Sequence, residues 1–562
     1  MNEVLQSKQK KKESFMQGVV TIMFSQVLIK LLGLIYTLYL TNRNGYGDAG
    51  NGISSGAYQI YALLLTVSSI GVPNAISKLV SERVAIGDHK GAHRILKIGF
   101  VTFAVIGLIG TLLLFFGARV IANEWLQIPE AEMTLVALSP AIFFVAIASV
   151  MRGYFNGRQY MKVSARSQTL EQIFKTVLTI IIVELVAILS GVSTELMAAG
   201  ANLATTSATF LGFGYLYLFY RSQRKEIAEE IKRTVNYKHE RAALVIRNIL
   251  FVSIPMALSA IMSSLNKNID SVTVVRGLKH FLTEGEAKIQ YGILAGKVDT
   301  LTSLPLSINI AFATALVPAI AAARAKKDTE SATKRTSFSL LVSMLIGLPC
   351  TIGMCIYAQQ ILNLLFPNAT AGKLILQISS FTIIFTILDQ TINGALQGFG
   401  KVMVPATALA CGVVAKLIIN IILIPIPWIG VNGAAIGSVI CHMVAFSITI
   451  NILRKNIKLD LSFSKFVIKP VFATFIMAIC SYAVFIICNN ILSERIATLI
   501  AMLFAAIIYV IAIIVLKIFT KEEIFMIPYG QKLYNVLEKI RYIWKKLTFL
   551  LKKRGNLANL GE

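Results

Sequence analysis

The sequence predicts an all-α integral membrane protein with about 14 transmembrane helices, arranged as two pseudo-symmetric six-helix lobes followed by two extra helices. Three observations indicate this fold class: an apolar composition, a series of long apolar runs, and an internal repeat. The 562-residue chain is 56% hydrophobic and 15% charged, with a mean hydropathy of +0.71. A soluble chain carries about 25% charged residues, so this composition excludes an ordinary soluble domain.

Apolar runs long enough to cross a bilayer need about 20 helical residues. Fourteen such runs lie near residues 16–41, 53–77, 96–118, 132–151, 162–189, 196–220, 246–270, 291–320, 337–361, 372–395, 403–426, 430–453, 466–488 and 496–518. An even number places both termini on one side of the membrane. The first run is too long for a cleavable signal peptide, and no small-residue cleavage site follows it.

An internal repeat indicates that the lobes arose by duplication. Residues 153–180 recur at an offset of 241, so that Gly153, Gly157, Val163, Ala165 and Lys175 match Gly394, Gly398, Val404, Ala406 and Lys416. A Val-Pro pair followed by a basic run recurs at an offset of 245, at Pro73 and Pro318. A duplicated unit of this size is far longer than a solenoid repeat, which predicts two similar lobes with the function between them.

These boundaries divide the chain into six segments. We expect a basic tail at 1–15, an N-terminal lobe at 16–220, a linker at 221–245, a C-terminal lobe at 246–453, helices thirteen and fourteen at 454–518, and a second tail at 519–562. Within the second tail, residues 531–553 place apolar side chains on one helical face and basic ones opposite. This pattern favours a helix lying on the membrane surface; docking onto a partner protein is the alternative.

The distribution of Lys and Arg predicts the orientation. The two tails and the alternate loops that follow helices two, four, six, eight, ten and twelve hold 42 of the 54 basic residues, the opposite loops hold seven, and five lie inside helices. The positive-inside rule therefore places the termini in the cytoplasm. The net charge of +26 is then a topogenic signal facing anionic lipid, and no nucleic-acid partner is expected.

The residue patterns of enzymes are missing from the sequence. The six cysteines lie inside apolar runs without CxxC spacing, which is typical of small core residues rather than of disulfides or metal sites. There is no Walker A sequence, no His-Glu-x-x-His and no Ser-His-Asp grouping, and the five histidines are scattered. We expect neither an enzyme, nor a metal site, nor a bound cofactor, so any work that the protein does must come from an ion gradient, the membrane potential or downhill flow.

Five cations and five anions within the predicted helices are candidates for a function in the membrane. A charge at mid-bilayer costs about 2.5 to 3.5 kcal/mol on insertion scales, so such residues are functional candidates by default. The cations are Lys30, Lys175, Lys267, Lys297 and Lys416, and the anions are Glu171, Glu184, Asp270, Asp299 and Asp389.

Spacing along the helices predicts local ion pairs for four of them. Glu171 and Lys175 are at i,i+4 with the acid first, the favourable order, and either neutralise each other or act in transport. Lys267 and Asp270 are at i,i+3 and are expected to pair in the same way.

The remaining lysines have no such local partner. Lys297 and Asp299 are two residues apart, point to different faces, and need partners elsewhere or water. Lys30 has no acid in its helix and lies about 20 Å along it; it either reaches the interface or meets an anion in a water-filled cavity. Four residues before Lys416, at the position that Glu171 occupies relative to Lys175, stands Gly412, so Lys416 has no acidic partner on its own helix.

Proline near one end of helices two and eight predicts bends. Pro73 and Pro318 each remove a backbone hydrogen bond and permit either a fixed kink or a moving hinge.

Three stretches carry a family resemblance: residues 56–97, IKLLGLIYTLYL at 29–40 and RGYFNGRQYM at 152–161. They resemble the polysaccharide-transport, stage V sporulation protein B and MurJ-type lipid II flippase branch of the multidrug/oligosaccharidyl-lipid/polysaccharide exporter superfamily, over about residues 15–520. The resemblance implies a V-shaped pair of lobes, with a lipid-tail groove at the extra helices. It also implies a cationic cavity with an arginine in helix one, matched here by Lys30, whereas a second arginine would fall at Tyr36 or Thr37.

The function that the resemblance implies is alternating-access flipping of a polyprenyl-diphosphate-linked cell-wall precursor, with lipid II first among the cargoes, by a multi-pass protein of the bacterial inner membrane. The predicted headgroup site comprises Lys30, Lys267, Lys297 and Lys416, and the predicted charge-balance or coupling set comprises Asp270, Asp299, Asp389, Glu171 and Lys175. The coupling candidates are sodium, protons or the membrane potential. Expected partners are the lipid-linked oligosaccharide, membrane lipids and, more remotely, cell-wall synthesis enzymes. The alternatives are another lipid-linked polysaccharide unit, a cation-coupled multidrug exporter, and a non-transporting scaffold.

Overall fold

The computed structural model describes residues 15–523, apart from gaps at residues 70, 192, 233, 235–236, 238–239, 326–327, 458–461 and 522. The predicted surface helix at 531–553 and the basic tail at 1–14 lie outside the described residues.

The described residues of the N-terminal half form helices joined by short loops, because long apolar runs must satisfy their backbone hydrogen bonds internally in lipid. The helices are α1 (Phe15–Asn42), α2 (Gly47–Ser69), α3 (Val72–Ala85), α4 (His89–Val120), α5 (Ala131–Gly157), α6 (Met161–Leu189) and α7 (Thr194–Ser222). A π-helical turn, Ile121–Leu126, extends α4, and α2 with α3 forms the second predicted span.

The C-terminal half repeats this order. Its helices are α9 (Ala242–Leu278), α10 (Glu284–Gly292), a π-helical segment (Ile293–Val298), α11 (Asp299–Ala325), α12 (Thr329–Ile356), α13 (Ala358–Leu365), α14 (Lys373–Gly398), α15 (Met403–Leu423) and α16 (Asn432–Asn456). The extra helices are α17 (Lys469–Asn489), preceded by a π-helical turn, and α18 (Glu494–Val515). A short helix, α8 (Arg224–Lys232), belongs to the linker.

Each of the fourteen predicted spans lies on helix within the described residues, and the chain is a multi-pass membrane protein. Nine helices in these ranges are long and apolar enough to cross a membrane by length and composition. Shorter apolar helices, Leu28–Asn42 and Ala242–Phe251, belong to α1 and α9. Helices α2 and α7 are richer in Ser, Thr, Asn and Gly, and both face the space between the lobes.

The two lobes share one pattern of helix pairing. In the first lobe α5 packs against α3, α4 and α7, while α6 packs against α1 and α7. In the second lobe α14 packs against α11, α12 and α16, while α15 packs against α9 and α16. This repetition confirms the two pseudo-symmetric lobes. Helices α17 and α18 pack together, and α17 lies against α12.

The repeated glycines have the same structural role in each lobe. A Cβ on Gly153 would lie 2.8 Å from the carbonyl oxygen of Pro73, and one on Gly394 would lie 2.5 Å from that of Ala313. These distances are too short for a side chain. Glycine therefore lets α5 cross α3, and α14 cross α11, with their backbones in contact.

The two proline positions differ in structure. Helix two is interrupted at Gly71, whose φ of 90° is left-handed, and α3 restarts with Pro73 in its first turn, where proline is well tolerated. Helix eight instead runs through Pro318 without a break and is distorted earlier, at the π-helical segment Ile293–Val298. The second span is therefore broken next to Pro73, as the sequence predicts. The eighth span is distorted at residues 293–298 and not at Pro318.

Candidate functional site

A cavity of about 340 Å³ lies between the two lobes. Helices α1, α2, α6 and α7 form its wall on the first lobe, and α9, the π-helical segment and α11 form its wall on the second. Its polar lining consists of Thr37, Asn51, Ser54, Ser55, Gln59, Gln172, Asn202, Thr205, Thr300 and Ser303, together with three tyrosines, Tyr36, Tyr46 and Tyr58.

The charged side chains of this cavity are mainly positive. Lys30 and Lys175 come from the first lobe, Lys267 from the second, and Asp299 is the one carboxylate in the lining. Three ammonium groups against one carboxylate leave a formal excess of two positive charges. The cavity therefore suits an anionic ligand and disfavours an organic cation.

Lys30 and Lys267 point their side chains into accessible space, since both are exposed. Neither has a carboxylate within ion-pair distance among the residues that the structure describes. Both ammonium groups line the same cavity, so a bound anion would offset the repulsion between them.

Lys175 is also part of this cluster, because its expected partner is engaged elsewhere. Glu171 forms an ion pair with Arg152 at 2.6 Å across to α5. The Lys175 ammonium instead lies 4.9 Å from the ring centres of both Tyr36 and Tyr58. The predicted neutralisation within α6 is therefore replaced by a cation–π arrangement at the cavity wall.

Lys297, predicted for the headgroup, is fully buried. Its Nζ binds Asp48 Oδ2 at 2.9 Å and donates to the carbonyl oxygens of Ala369 and Ala371 at 2.7 and 2.9 Å. Three acceptors satisfy its three N–H groups, so its position does not suit headgroup binding in this conformation.

Lys416 is likewise enclosed, at 1% exposure. Its Nζ binds Asp270 Oδ2 at 2.6 Å and the carbonyl oxygen of Asn266 at 2.8 Å, while Asn420 donates to the second carboxylate oxygen at 2.9 Å. Asp270 is thus paired with a lysine of α15, not with Lys267 on its own helix. The spacing-based prediction failed because two helices cross here and bring a better-placed ammonium to the carboxylate.

Two further intramembrane acids have different surroundings. Asp389 is buried and accepts hydrogen bonds from Thr449 at 2.9 Å and Asn393 at 3.1 Å, with no basic side chain at ion-pair distance in the described ranges. Glu184 is paired with Arg43, at 2.8 and 2.9 Å. Of the two, Asp389 is the one available to a proton or a cation.

Apart from Tyr36 and Thr37, the positions at which the family resemblance would put a second arginine, the tyrosines and neutral polar residues of the cavity were not identified from the sequence. The available signal was the run of Ser, Thr, Asn and Gly in α2 and α7, which is unusual for a span in contact with lipid. No group of three His, Cys, Asp or Glu side chains placed to hold a metal ion occurs in the described part of the chain.

An apolar groove of about 590 Å³ lies between α12 and α17. It is lined by Leu348, Ile352, Ile356, Val471, Thr474, Phe475, Ala478, Ile479 and Tyr482. Its walls are almost wholly apolar, so its natural contents are hydrocarbon chains.

Comparison with known proteins gives two family matches. The model of a family described as polysaccharide biosynthesis protein matches residues 15–324, and the MatE model matches residues 295–422. Among curated relatives from Bacillus subtilis, stage V sporulation protein B is 27% identical over 92% of this chain and 98% of its own length. Lipid II flippase MurJ is 22% identical over 73% of this chain and 77% of its own length.

Solved structures share the fold. A lipid II flippase MurJ in an inward closed conformation superposes with a TM-score of 0.64 at 14% identity, covering 88% of this chain and 98% of that one. An inward-facing multidrug resistance MATE family transporter of the MOP superfamily also superposes with a TM-score of 0.64, at 16% identity, covering 78% and 98%.

Proposed function

Because the chain belongs to the polysaccharide biosynthesis protein family and is a MOP-superfamily transporter, we propose that it flips a polyprenyl-diphosphate-linked cell-wall precursor by alternating access. The cargo moves from the inner to the outer leaflet of the cytoplasmic membrane, and lipid II is the cargo we favour. The observation that carries this proposal is the positive excess in the cavity between the lobes.

The chemistry of the cavity fits a diphosphate. Lys30 and Lys267 each offer ammonium N–H groups to an anionic oxygen, and hydrogen bonds between ionised partners are the strong ones. They come from opposite lobes, so one headgroup can contact both. The neutral polar residues of α2 and α7 supply donors and acceptors for sugar hydroxyl groups.

The lipid tail needs a separate path, since a polyprenyl chain does not fit a polar cavity. The apolar groove between α12 and α17 supports a path in which the tail stays in hydrocarbon while the headgroup crosses. Rocking of the two lobes about the central cavity then exposes the headgroup to each side in turn.

In this proposal the chain has a fixed orientation in the membrane and uses the membrane potential or an ion gradient. The basic loops and both termini lie in the cytoplasm, following the positive-inside rule. Moving one charge through the membrane potential provides about 2.3 kcal/mol per 100 mV, enough to reset an empty carrier. Asp389 is the candidate for coupling to protons or sodium, and the basic tail is the candidate contact for cell-wall synthesis enzymes.

The test is flipping of fluorescent lipid II in proteoliposomes. We expect Lys30→Met to reduce the flipping rate about tenfold or more, since a phosphate contact by an ammonium contributes about 1.5 to 3 kcal/mol, and Lys30→Arg to retain most of it. The control is Lys279→Met, because Lys279 lies outside the cavity in a half-exposed pair with Glu284. Equal rates for Lys30→Met and the wild type would contradict the proposal.

The same liposomes distinguish the alternative cargoes. A polyprenyl diphosphate carrying a different saccharide, flipped faster than lipid II, would assign the chain to another polysaccharide precursor. Transport of an organic cation such as ethidium, with no flipping, would assign it to multidrug export.

A further inference from the structure

We propose that Lys175 is a third diphosphate-binding lysine of the central cavity and that Tyr36 and Tyr58 position it there. This inference rests on the proposed function, in which the cavity receives a diphosphate headgroup. It makes a binding residue of Lys175 on α6, which the sequence analysis placed in the charge-balance or coupling set. It also adds two positioning residues, on α1 and α2, that the pattern of charges did not assign.

The charge of Lys175 is not neutralised by a carboxylate in the described part of the chain, so it is available to an anionic ligand. Its neighbour Glu171 is bound by Arg152 at 2.6 Å, and no carboxylate lies within ion-pair distance of Lys175 among the described residues. Lys297 and Lys416, in contrast, are each bound by a carboxylate, at 2.9 and 2.6 Å. An incoming phosphate would have to displace those carboxylates, whereas at Lys175 it replaces nothing that is charged.

Two tyrosine rings hold the ammonium group of Lys175 at the cavity wall. Its distance of 4.9 Å to each tyrosine ring lies within the range of cation–π attraction. That attraction holds the charge at the wall, and a ring face accepts no strong hydrogen bond. One N–H group is directed at the hydroxyl group of Tyr36, which leaves two of the three donors of the ammonium for an anion. Lys175 is therefore held in place and still able to bind.

The position of Lys175 brings it into the same cavity as the other two lysines. Lys30, Lys175 and Lys267 all line one cavity, with the first two on the N-terminal lobe and the third on the C-terminal lobe. A diphosphate has two phosphoryl groups, so one of them can engage the pair of lysines on the first lobe while the other reaches Lys267. Binding would then draw the two lobes together around the headgroup.

The experiment measures ligand binding to the purified full-length protein in detergent. The probes are farnesyl diphosphate, farnesol with the same chain but no phosphate, and inorganic pyrophosphate. We expect Lys175→Met to weaken binding of both phosphate probes by about 10- to 100-fold, the effect of losing a hydrogen bond to a charged group, and to leave farnesol binding unchanged. Lys175→Arg should retain most of the affinity.

The tyrosines are tested by a double-mutant cycle. We expect Tyr36→Leu with Tyr58→Leu to weaken pyrophosphate binding less than Lys175→Met does, and to add nothing in the Lys175→Met background. An additive loss would show that the rings contact the ligand directly and would overturn their positioning role.

A purely structural role for Lys175 gives a different result. Lys175→Met would then lower the thermal unfolding midpoint of the empty protein, while the rise in that midpoint on adding pyrophosphate would stay as in the wild type. That result, with Lys30→Met still losing pyrophosphate binding, overturns this inference and leaves the proposed function standing. Pyrophosphate binding unaffected by both variants would contradict the proposed function as well.

Discussion

Lys297 and Lys416 lie in the interior at 0% and 1% exposure, each with one carboxylate and at least one carbonyl oxygen at hydrogen-bond distance. Taking an ammonium out of water is costly, and only a close partner with good geometry offsets that cost. Removing one partner leaves a charge without compensation. The pairs are therefore much more sensitive to single substitutions than to double ones.

We predict that Lys416→Met or Asp270→Asn each lowers the free energy of unfolding by about 3 to 5 kcal/mol. The double variant should recover most of this loss, because no uncompensated charge remains. Thermal unfolding in detergent measures the effect, with Lys279→Met as the control for a half-exposed pair, expected to cost less than about 1 kcal/mol. Losses that simply add in the double variant would contradict the pairing.

Local spacing identified the charged residues but not their partners. Four residues of separation placed Lys175 next to Glu171, yet Arg152 on a neighbouring helix bound that acid at 2.6 Å. Asp48 could not be found as the partner of Lys297, since 249 residues separate them. Periodicity reports neighbours on one helix, whereas partners on crossing helices depend on tertiary packing.

At the level of helices, the glycines of the repeat determine how closely the spans cross. Gly157 and Gly398 extend the pattern, since a Cβ on either would lie 2.8 Å from the Cβ of Val80 or Ile320. The sequence revealed these positions through their recurrence, although a Gly-x-x-x-Gly spacing is common in membrane chains. Their recurrence at the same crossing in both lobes shows that the close approach belongs to the fold.

We predict that Gly394→Ala destabilises the protein by about 1 to 3 kcal/mol, the usual effect of overpacking. The added methyl group would meet the carbonyl oxygen of Ala313 at 2.5 Å and push α14 away from α11. The control is Gly353→Ala on α12, where a Cβ meets nothing within 4 Å. Equal unfolding midpoints for these two variants would refute the role of the crossing.

At the level of the whole molecule, the lobes are joined at the side opposite the basic loops. Lys297 and Asp48 form the central ion pair of this contact, and Lys288 pairs with Glu130 beside it. Asn368 donates to the carbonyl oxygen of Asn42 at 2.8 Å. A cavity closed on this side must separate these contacts before a headgroup can leave.

We predict that Lys297→Met shifts the population toward lobes separated at this side, because Asp48 loses its partner and favours hydration. The measurement is the distance between spin labels at Asn44→Cys and Thr370→Cys in a variant lacking the six native cysteines. A longer component should appear with Lys297→Met and be absent with Lys279→Met, whose ion pair lies within one lobe. An unchanged distribution would show that the pair does not hold the lobes.

The fold and the two-lobe plan could be predicted from the sequence because fourteen apolar runs and a duplicated stretch are local features. The cavity wall was predicted only in part. Its charged residues were all candidates from the sequence: Lys30, Lys175, Lys267 and Asp299. Tyr58 has no local signature, and Tyr36 was marked only by the family resemblance. The sequence also could not predict that the helix breaks near Pro73 and continues through Pro318, since a Val-Pro pair precedes a basic run at both positions.

The pairing of Asp270 with Lys416 also bears on how the protein is made. The two residues are 146 positions apart, and synthesis at about 5 to 20 residues per second separates their appearance by about 7 to 30 s. During that interval the nascent chain carries an unmatched carboxylate in the membrane. A chain truncated before α15 would keep it permanently, because the lysine that binds this carboxylate at 2.6 Å lies on that helix.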